Sequence, residues 1–330
     1  MSKKRGIGRR LLAATVALAG VCGLASLGAC SFVDQATRVQ ERRLGRSGLH
    51  SKQVKLGNDR VRYWEGGSGK ETVVLLHGFG ADATWQWRPQ MQQLAEQYRV
   101  IAPDLLWFGQ SKSSDNDYSI QHQARAVLRL LDHEGVENFH LIGVSYGGMV
   151  SHEIIGRAPE RVDRVVLVSS PARAFMAEDK KAVLHDLEVS TVEDLLLPQQ
   201  PSDLRRLMGL AYWKPRRVPD FIAQGVIERY YQPNREHHLR LLRSVPQNAA
   251  EHREMFQAPS QPTLIVWGEH DQVFPTQAGE RIHGELAGST LCVFENAAHA
   301  PHLERQEDVT PLMLRFLSGQ EVTCDPSTKL

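Results

Sequence analysis

An excess of charge of either sign is missing from this chain: 39 Lys and Arg face 38 Asp and Glu over 330 residues, a net charge of +1. Even that surplus is local, because residues 1–29 hold Lys3, Lys4, Arg5, Arg9 and Arg10 and no acid. Beyond them 34 bases meet 38 acids, a net charge of about −4. A protein that binds the nucleic-acid backbone carries the opposite sign, so no nucleic-acid partner is expected. Internal repeats are absent. Cysteine is scarce, with only Cys22, Cys30, Cys292 and Cys324. Cys292 falls in an apolar run, as a buried thiol does, and its pairing with Cys324 is permitted in an oxidising compartment without being fixed by the sequence. A helical zinc motif is lacking too: SHEIIG has His152 and Glu153 but Gly156 where the second histidine belongs. What remains, 42% apolar and 23% charged residues, is the composition of a globular protein with a large core.

The one long apolar stretch lies at the start. A basic segment, MSKKRGIGRR, precedes Leu11–Ala29, the anatomy of an export signal. It ends in LGAC, Leu27 to Cys30, which resembles the lipobox of bacterial lipoprotein signals. That resemblance implies a mature chain beginning at an acylated Cys30 and anchored to a membrane through its lipid. Ser31 in place of aspartate resembles outer-membrane sorting, which implies the periplasmic or outer-membrane side of a Gram-negative cell. Two simpler readings are a cleaved secretory signal and an uncleaved anchor, since 19 apolar residues could just span a bilayer. Residues 31–50 are polar and arginine-rich (Arg38, Arg42, Arg43, Arg46) and read as a tether.

Past the tether, QVKLGNDRVRYWEGG reads as a hairpin turning at Gly57-Asn58-Asp59. Short continuous apolar runs follow: TVVLL, RVIAPD, FHLIGVS, RVVLVSS, TLIVWG and STLCVFEN, alternating with helical stretches. Runs apolar on both faces are strands covered on both sides, which means a parallel sheet with crossover helices. Ile120, Ala124, Val127, Leu128 and Leu131 mark one such helix. Between Ser170 and Thr263 the alternation stops for about 90 residues. Helical pieces and aromatics fill that interval, so it reads as a helical insertion over the sheet, because structureless loops of such length are rare in compact domains.

The stretch HLIGVSYGGMV sets Ser145 between glycines directly after an apolar run. GVSYG fits G-x-S-x-G, in which a serine at a sharp strand-to-helix turn needs small neighbours two residues away so that the turn can close. Its hydroxyl then stands above the carboxyl edge of the sheet, where open α/β folds bind ligands, at the positive end of the next helix. A serine hydroxyl needs a base. Of fourteen histidines, His299 in NAAHAPHLE follows the last strand and emerges at the same edge, whereas His302 reads as a surface residue. The base needs an orienting carboxylate; WGEHDQVFP offers Glu269 and Asp271, and Asp271 sits deeper in the loop.

HGFG, PDLLWFGQS, GVSYGG, WGEHDQVFP and AAHAPHLE occur in this order, and together they resemble the α/β-hydrolase superfamily over roughly residues 54–318. The resemblance implies an α/β-hydrolase fold, with a mostly parallel central sheet flanked by helices and a helical cap. It implies Ser145 as nucleophile, Asp271 as acid and His299 as base, with the backbone N–H groups of Phe79 and Tyr146 as the oxyanion hole. No cofactor and no metal enter such a mechanism. Tyr146 and Ala298 depart from residues frequent in the family but remove no reacting group. The expected organisation is a signal at 1–29, a tether at 30–50, a core at 51–170 and 263–320, a cap at 171–262 and a polar tail at 321–330.

A rival motif overlaps the first turn. GFGADA with Asp104 beyond it mimics a dinucleotide fingerprint, but Asp82 puts a carboxylate where pyrophosphate belongs. A binding protein on the same scaffold is the non-enzymatic rival, and the intact triad argues against it. Apolar cap residues point to a small-molecule or lipid ester substrate. The alternative is C–C cleavage of the meta-cleavage type, for which a cap arginine (Arg205, Arg206, Arg216, Arg217 or Arg240) would hold a carboxylate.

Overall fold

The computed structural model describes residues 32–171, 174, 177–245 and 260–324. The segment read as an export signal and Cys30 lie outside the described residues. The expected hairpin is β1 (Leu49–Leu56) and β2 (Asp59–Gly66), antiparallel, with its turn at Gly57 and Asn58. β3 (Thr72–Leu76), β4 (Arg99–Pro103), a two-residue β5 (Lys112–Ser113), β6 (Phe139–Val144), β7 (Val162–Val168), β8 (Thr263–Gly268) and β9 (Thr290–Phe294) complete the sheet. The order is β1-β2-β4-β3-β6-β7-β8-β9, with β5 beside β2. Along the path β4-β3-β6-β7-β8-β9 every pairing is parallel, whereas β4 and β5 each pair antiparallel with β2. All residues of β3, β6 and β8 are buried, because helices cover both faces. This is the α/β-hydrolase architecture.

The segment read as a tether is instead a helix, α1, over 32–46. Arg38, Arg42, Arg43 and Arg46 do point to solvent, which makes the sequence look like a linker. Its other side docks at three levels. Val33 enters the apolar cluster of the cap, Leu44 enters the core beside Trp64 and Trp87, and the Thr37 hydroxyl lies 3.0 Å from the Tyr230 hydroxyl. Asp34 also pairs with Arg229. Val33, Thr37 and Leu44 share one helical face, so α1 ties cap to core.

The helices between strands are α2 (Ala83–Leu94), α3 (Ile120–His133) and α4 (Tyr146–Arg157). The insertion carries α5 (Ala177–Asp186), α6 (Val192–Leu196), α7 (Pro201–Ala211), α8 (Asp220–Val226) and α9 (Arg235–Ser244). α10 (Thr276–Glu285), α11 (Pro301–Glu304) and α12 (Gln306–Leu317) finish the chain. α3 begins where the Ser119 hydroxyl accepts from His122 N at 3.2 Å, a side-chain cap, and buries Ile120, Ala124, Val127 and Leu131 against the sheet. α2 and α12 cover the other face through Trp87, Met91, Val309 and Met313. The tail is pinned rather than free as far as it is described. Val322 is buried, and Cys324 forms a disulfide with Cys292 on β9.

Candidate active site

Ser145 follows β6 and precedes α4, with φ 52° and ψ −117°. A non-glycine residue in that region is strained and is kept only where its surroundings impose it. The imposition is visible on both sides. A Cβ on Gly143 would lie 2.7 Å from Gly147 O, and one on Gly147 would lie 2.2 Å from Leu76 O. The turn closes only because both positions lack side chains. Ser145 N donates to Val168 O at 2.9 Å, and the Ser170 hydroxyl donates to Ser145 O at 2.7 Å. From Phe139 to Ile155 every residue is buried except Ser145. The fold therefore opens that run to the outside at one hydroxyl.

Because β6, β8 and β9 run parallel, their carboxyl ends lie on the same edge of the sheet. Asp271 follows β8 and His299 follows β9. The Asp271 carboxylate accepts from His299 Nδ1 at 2.9 Å through Oδ2. Its Oδ1 also accepts from Val273 N and Phe274 N, each at 2.9 Å. Three donors fix the carboxylate, and Nδ1–H bonded to it leaves Nε2 of His299 with its lone pair. Glu269, the other acid in that loop, lies beside His270 instead, at 3.6 Å.

The loop after β3 supplies Phe79. Its ring meets that of Tyr146 edge-on with centroids 5.9 Å apart, and a Cβ on Gly78 would come within 3.2 Å of Ser145 Cβ. His77 is fully buried and props this loop. Its Nε2 accepts from Leu105 N at 2.9 Å, so Nδ1 carries the proton donated to Gly78 O at 2.7 Å. Burial holds its pKa below the ordinary histidine value, which keeps that neutral tautomer. A second prop, Gln86, has no signature in the sequence. Oε1 of Gln86 accepts from Gly78 N at 2.8 Å, and Nε2 donates to Gly80 O at 2.6 Å and Gly78 O at 3.2 Å. It lies eight residues from Gly78 on α2, and only the fold turns it back onto the loop.

The cap closes over this region. Tyr231 lies above Gly80, and His238 on α9 stacks on Phe108 with ring centroids 4.7 Å apart and meets Phe79 at 5.5 Å. His238 Nε2 donates to Trp107 O at 2.9 Å. The neighbouring His237 is held by the Tyr118 hydroxyl at 2.8 Å. His302, expected at the surface, is buried against Trp87 with ring centroids 4.7 Å apart, because α11 turns its first residues inward. The rival dinucleotide motif loses its chemistry. Asp82 caps α2 by accepting from Trp85 N at 3.1 Å, and Asp104 is buried in an ion pair with Arg62 at 3.3 Å.

Comparison with known proteins agrees with this fold. The family model described as the alpha/beta hydrolase fold matches residues 71–306. Monoacylglycerol lipase abhd6-A of Xenopus laevis is 26% identical over 287 residues, 84% of each chain. The 2-hydroxy-6-oxononadienedioate/2-hydroxy-6-oxononatrienedioate hydrolase of Escherichia coli K12 is 28% identical over 268 residues, 78% of this chain and 91% of that one. The crystal structure of a membrane phospholipase A, a bacterial virulence factor, superposes with a TM-score of 0.73 at 27% identity, covering 95% of this chain and 99% of its own. The names of these relatives are those of lipases and hydrolases, and the family model spans well over half of the present sequence. The chain belongs to the α/β hydrolase fold family.

Proposed function

We propose that this protein is a membrane-tethered serine hydrolase that cleaves carboxylic esters with apolar acyl groups. In this reading Ser145 Oγ attacks the ester carbonyl while His299 Nε2 takes its proton. The backbone N–H groups of Phe79 and Tyr146 receive the oxyanion. His299 then protonates the departing alkoxide, and water cleaves the acyl-enzyme by the same steps in reverse. Asp271 keeps Nδ1 protonated and stabilises the imidazolium. The observation that carries the reading is the strained Ser145 turn on the same sheet edge as an imidazole already bonded to a carboxylate at 2.9 Å.

Ester cleavage is favoured over C–C cleavage by the arginines of the cap. Arg205 pairs with Asp220, Arg206 with Asp203 and Arg240 with Glu236, while Arg216 and Arg217 are exposed. Each of the five is thus engaged or turned to solvent rather than kept for a substrate carboxylate. The apolar cap interior, with Leu204, Ile227 and Leu242 buried and Leu207 and Met208 packed on them, suits an acyl chain. Lipase and phospholipase names among the relatives point the same way. Tethering rests on the lipobox at Cys30, and the Cys292–Cys324 disulfide is in keeping with an oxidising compartment.

Labelling by a fluorophosphonate probe tests the chemistry: wild type should label, and Ser145→Ala should neither label nor hydrolyse esters. Labelling of Ser145→Ala overturns the assignment. A higher kcat/KM for a vinylogous diketone than for a medium-chain p-nitrophenyl ester overturns the ester reading. Cys30→Ser should lose incorporation of radiolabelled palmitate, and palmitate retained by that variant would refute the anchor.

A further inference from the structure

The cap and the loop of His299 meet at one carboxylate. Glu304 ends α11 and is half-buried. Its Oε1 accepts from Ala298 N and its Oε2 from Trp213 N, both at 2.6 Å. Ala298 immediately precedes His299, and Trp213 lies two residues beyond the end of α7 in the cap. Two more contacts join the same places. Ala300 N donates to Ala211 O at 3.0 Å, so the residue after His299 is also held by the cap. The Trp213 indole stacks on His270, with ring centroids 3.6 Å apart and planes 13° apart. His270 precedes Asp271, and its N–H donates to Ala297 O at 2.9 Å. Residues 211–213 of the cap therefore grip both loops, the one carrying the base and the one carrying its carboxylate.

We propose that Glu304 is a positioning residue that couples the seating of the cap to the placement of His299. This inference rests on the triad reading above and adds the device that sets its geometry. With the cap seated, Glu304 holds Ala298 and the Ala211 carbonyl holds Ala300, so His299 is fixed from both sides while Nδ1 stays on Asp271. When the end of α7 lifts, Glu304 loses Trp213, Ala300 loses Ala211, and the loop of the base is released. The charge-assisted bonds on both oxygens of one carboxylate make the link stronger than neutral contacts of the same length. Ordinary loop stabilisation by Glu304 would act the same whether or not the cap side of the bridge is intact.

The experiment uses p-nitrophenyl acetate, whose acyl group is too short to need the cap, together with a small alkyl fluorophosphonate. Glu304→Gln keeps the shape but presents an amide NH2 to one of the two N–H donors. It should lower kcat and the rate of labelling about 10- to 100-fold, the effect of a misplaced catalytic group, with KM within about twofold of wild type. Trp213→Ala removes a ring that is 37% exposed, and it should lower kcat by a smaller factor. The double variant should resemble Glu304→Gln rather than show the product of the two effects, since both loosen the hold of residues 211–213 on the two loops. Effects that multiply, a loss carried wholly by KM, or a Glu304→Gln kcat within about twofold of wild type would overturn the proposal. If Glu304→Gln does not fold, Trp213→Pro deletes the cap-side donor from an exposed position, and unchanged kcat in that variant overturns it equally. Labelling of Ser145→Ala would instead overturn the triad reading, whatever the Glu304 variants do.

Discussion

Gln86 offers a direct test of how the candidate oxyanion loop is aimed. Gln86→Leu keeps most of the volume and removes three hydrogen bonds, at 2.8, 2.6 and 3.2 Å, from Gly78 and Gly80. Both glycines are buried, so Gly78 N–H and Gly80 C=O are left without this partner in a place water reaches poorly. Each such group costs about 1–3 kcal/mol, and the variant should lose about 2–6 kcal/mol of stability. Phe79 lies between the two released glycines, and its N–H should drift from its aim. Deleting an oxyanion donor costs about 10²–10³ in kcat. A misdirected donor should cost less, about 10- to 100-fold. Urea denaturation and p-nitrophenyl butyrate kinetics on the same preparations separate the two effects. A Gln86→Leu enzyme that loses the stability yet keeps kcat within about twofold of wild type would refute the argument that the clamp aims Phe79.

Arg62 is 2% exposed and bonds Asp104 at 3.3 Å, Thr84 at 3.2 Å and Ser51 at 3.1 Å. Arg62→Met should cost about 3–5 kcal/mol by stranding Asp104, with part of the loss recovered in the double variant with Asp104→Asn; a urea midpoint unchanged by Arg62→Met would count against this. Burial pushes His238 down to about 4 and His302 to about 3, against about 6.5 in the unfolded chain. The neutral form is thus the folded one, and stability should fall as pH drops from about 6.5 towards 4, by about 3 kcal/mol for His238. His238→Gln should flatten that part of a urea-midpoint profile, and a profile with the wild-type slope would sink the assignment. Cys292→Ala should cost about 3–4 kcal/mol, as for a loop of 32 residues, and reductant should then leave its melting temperature unmoved while lowering that of wild type; equal melting temperatures for the two proteins in oxidising buffer would refute the cross-link.

The parts of this protein written in its sequence are those that depend on neighbours along the chain. TVVLL, FHLIGV and TLIVWG are apolar on both faces whatever surrounds them, so a covered parallel sheet follows from the runs alone. GVSYG carries its own steric condition, two missing side chains around a strained serine, and that condition is local. The loops after β8 and β9 share an edge with Ser145 as soon as the strands are parallel, which brings Asp271 to His299. Other features depend on residues far apart in the chain, and no periodicity announces them. Thr37 meets Tyr230 across 193 residues, and Trp213 meets Glu304 across 91. For that reason the arginine-rich segment 32–46 looked like a tether. Its four arginines dominate the composition, while Val33, Thr37 and Leu44 find their partners only in the folded cap and core. His302 opens a helix, where a histidine is expected at the surface, and the turn of α11 against Trp87 decides otherwise. Gln86 and Glu304 are ordinary polar residues in sequence. Each gains its role from backbone N–H groups that tertiary packing brings within 2.6–2.8 Å of its side-chain oxygens.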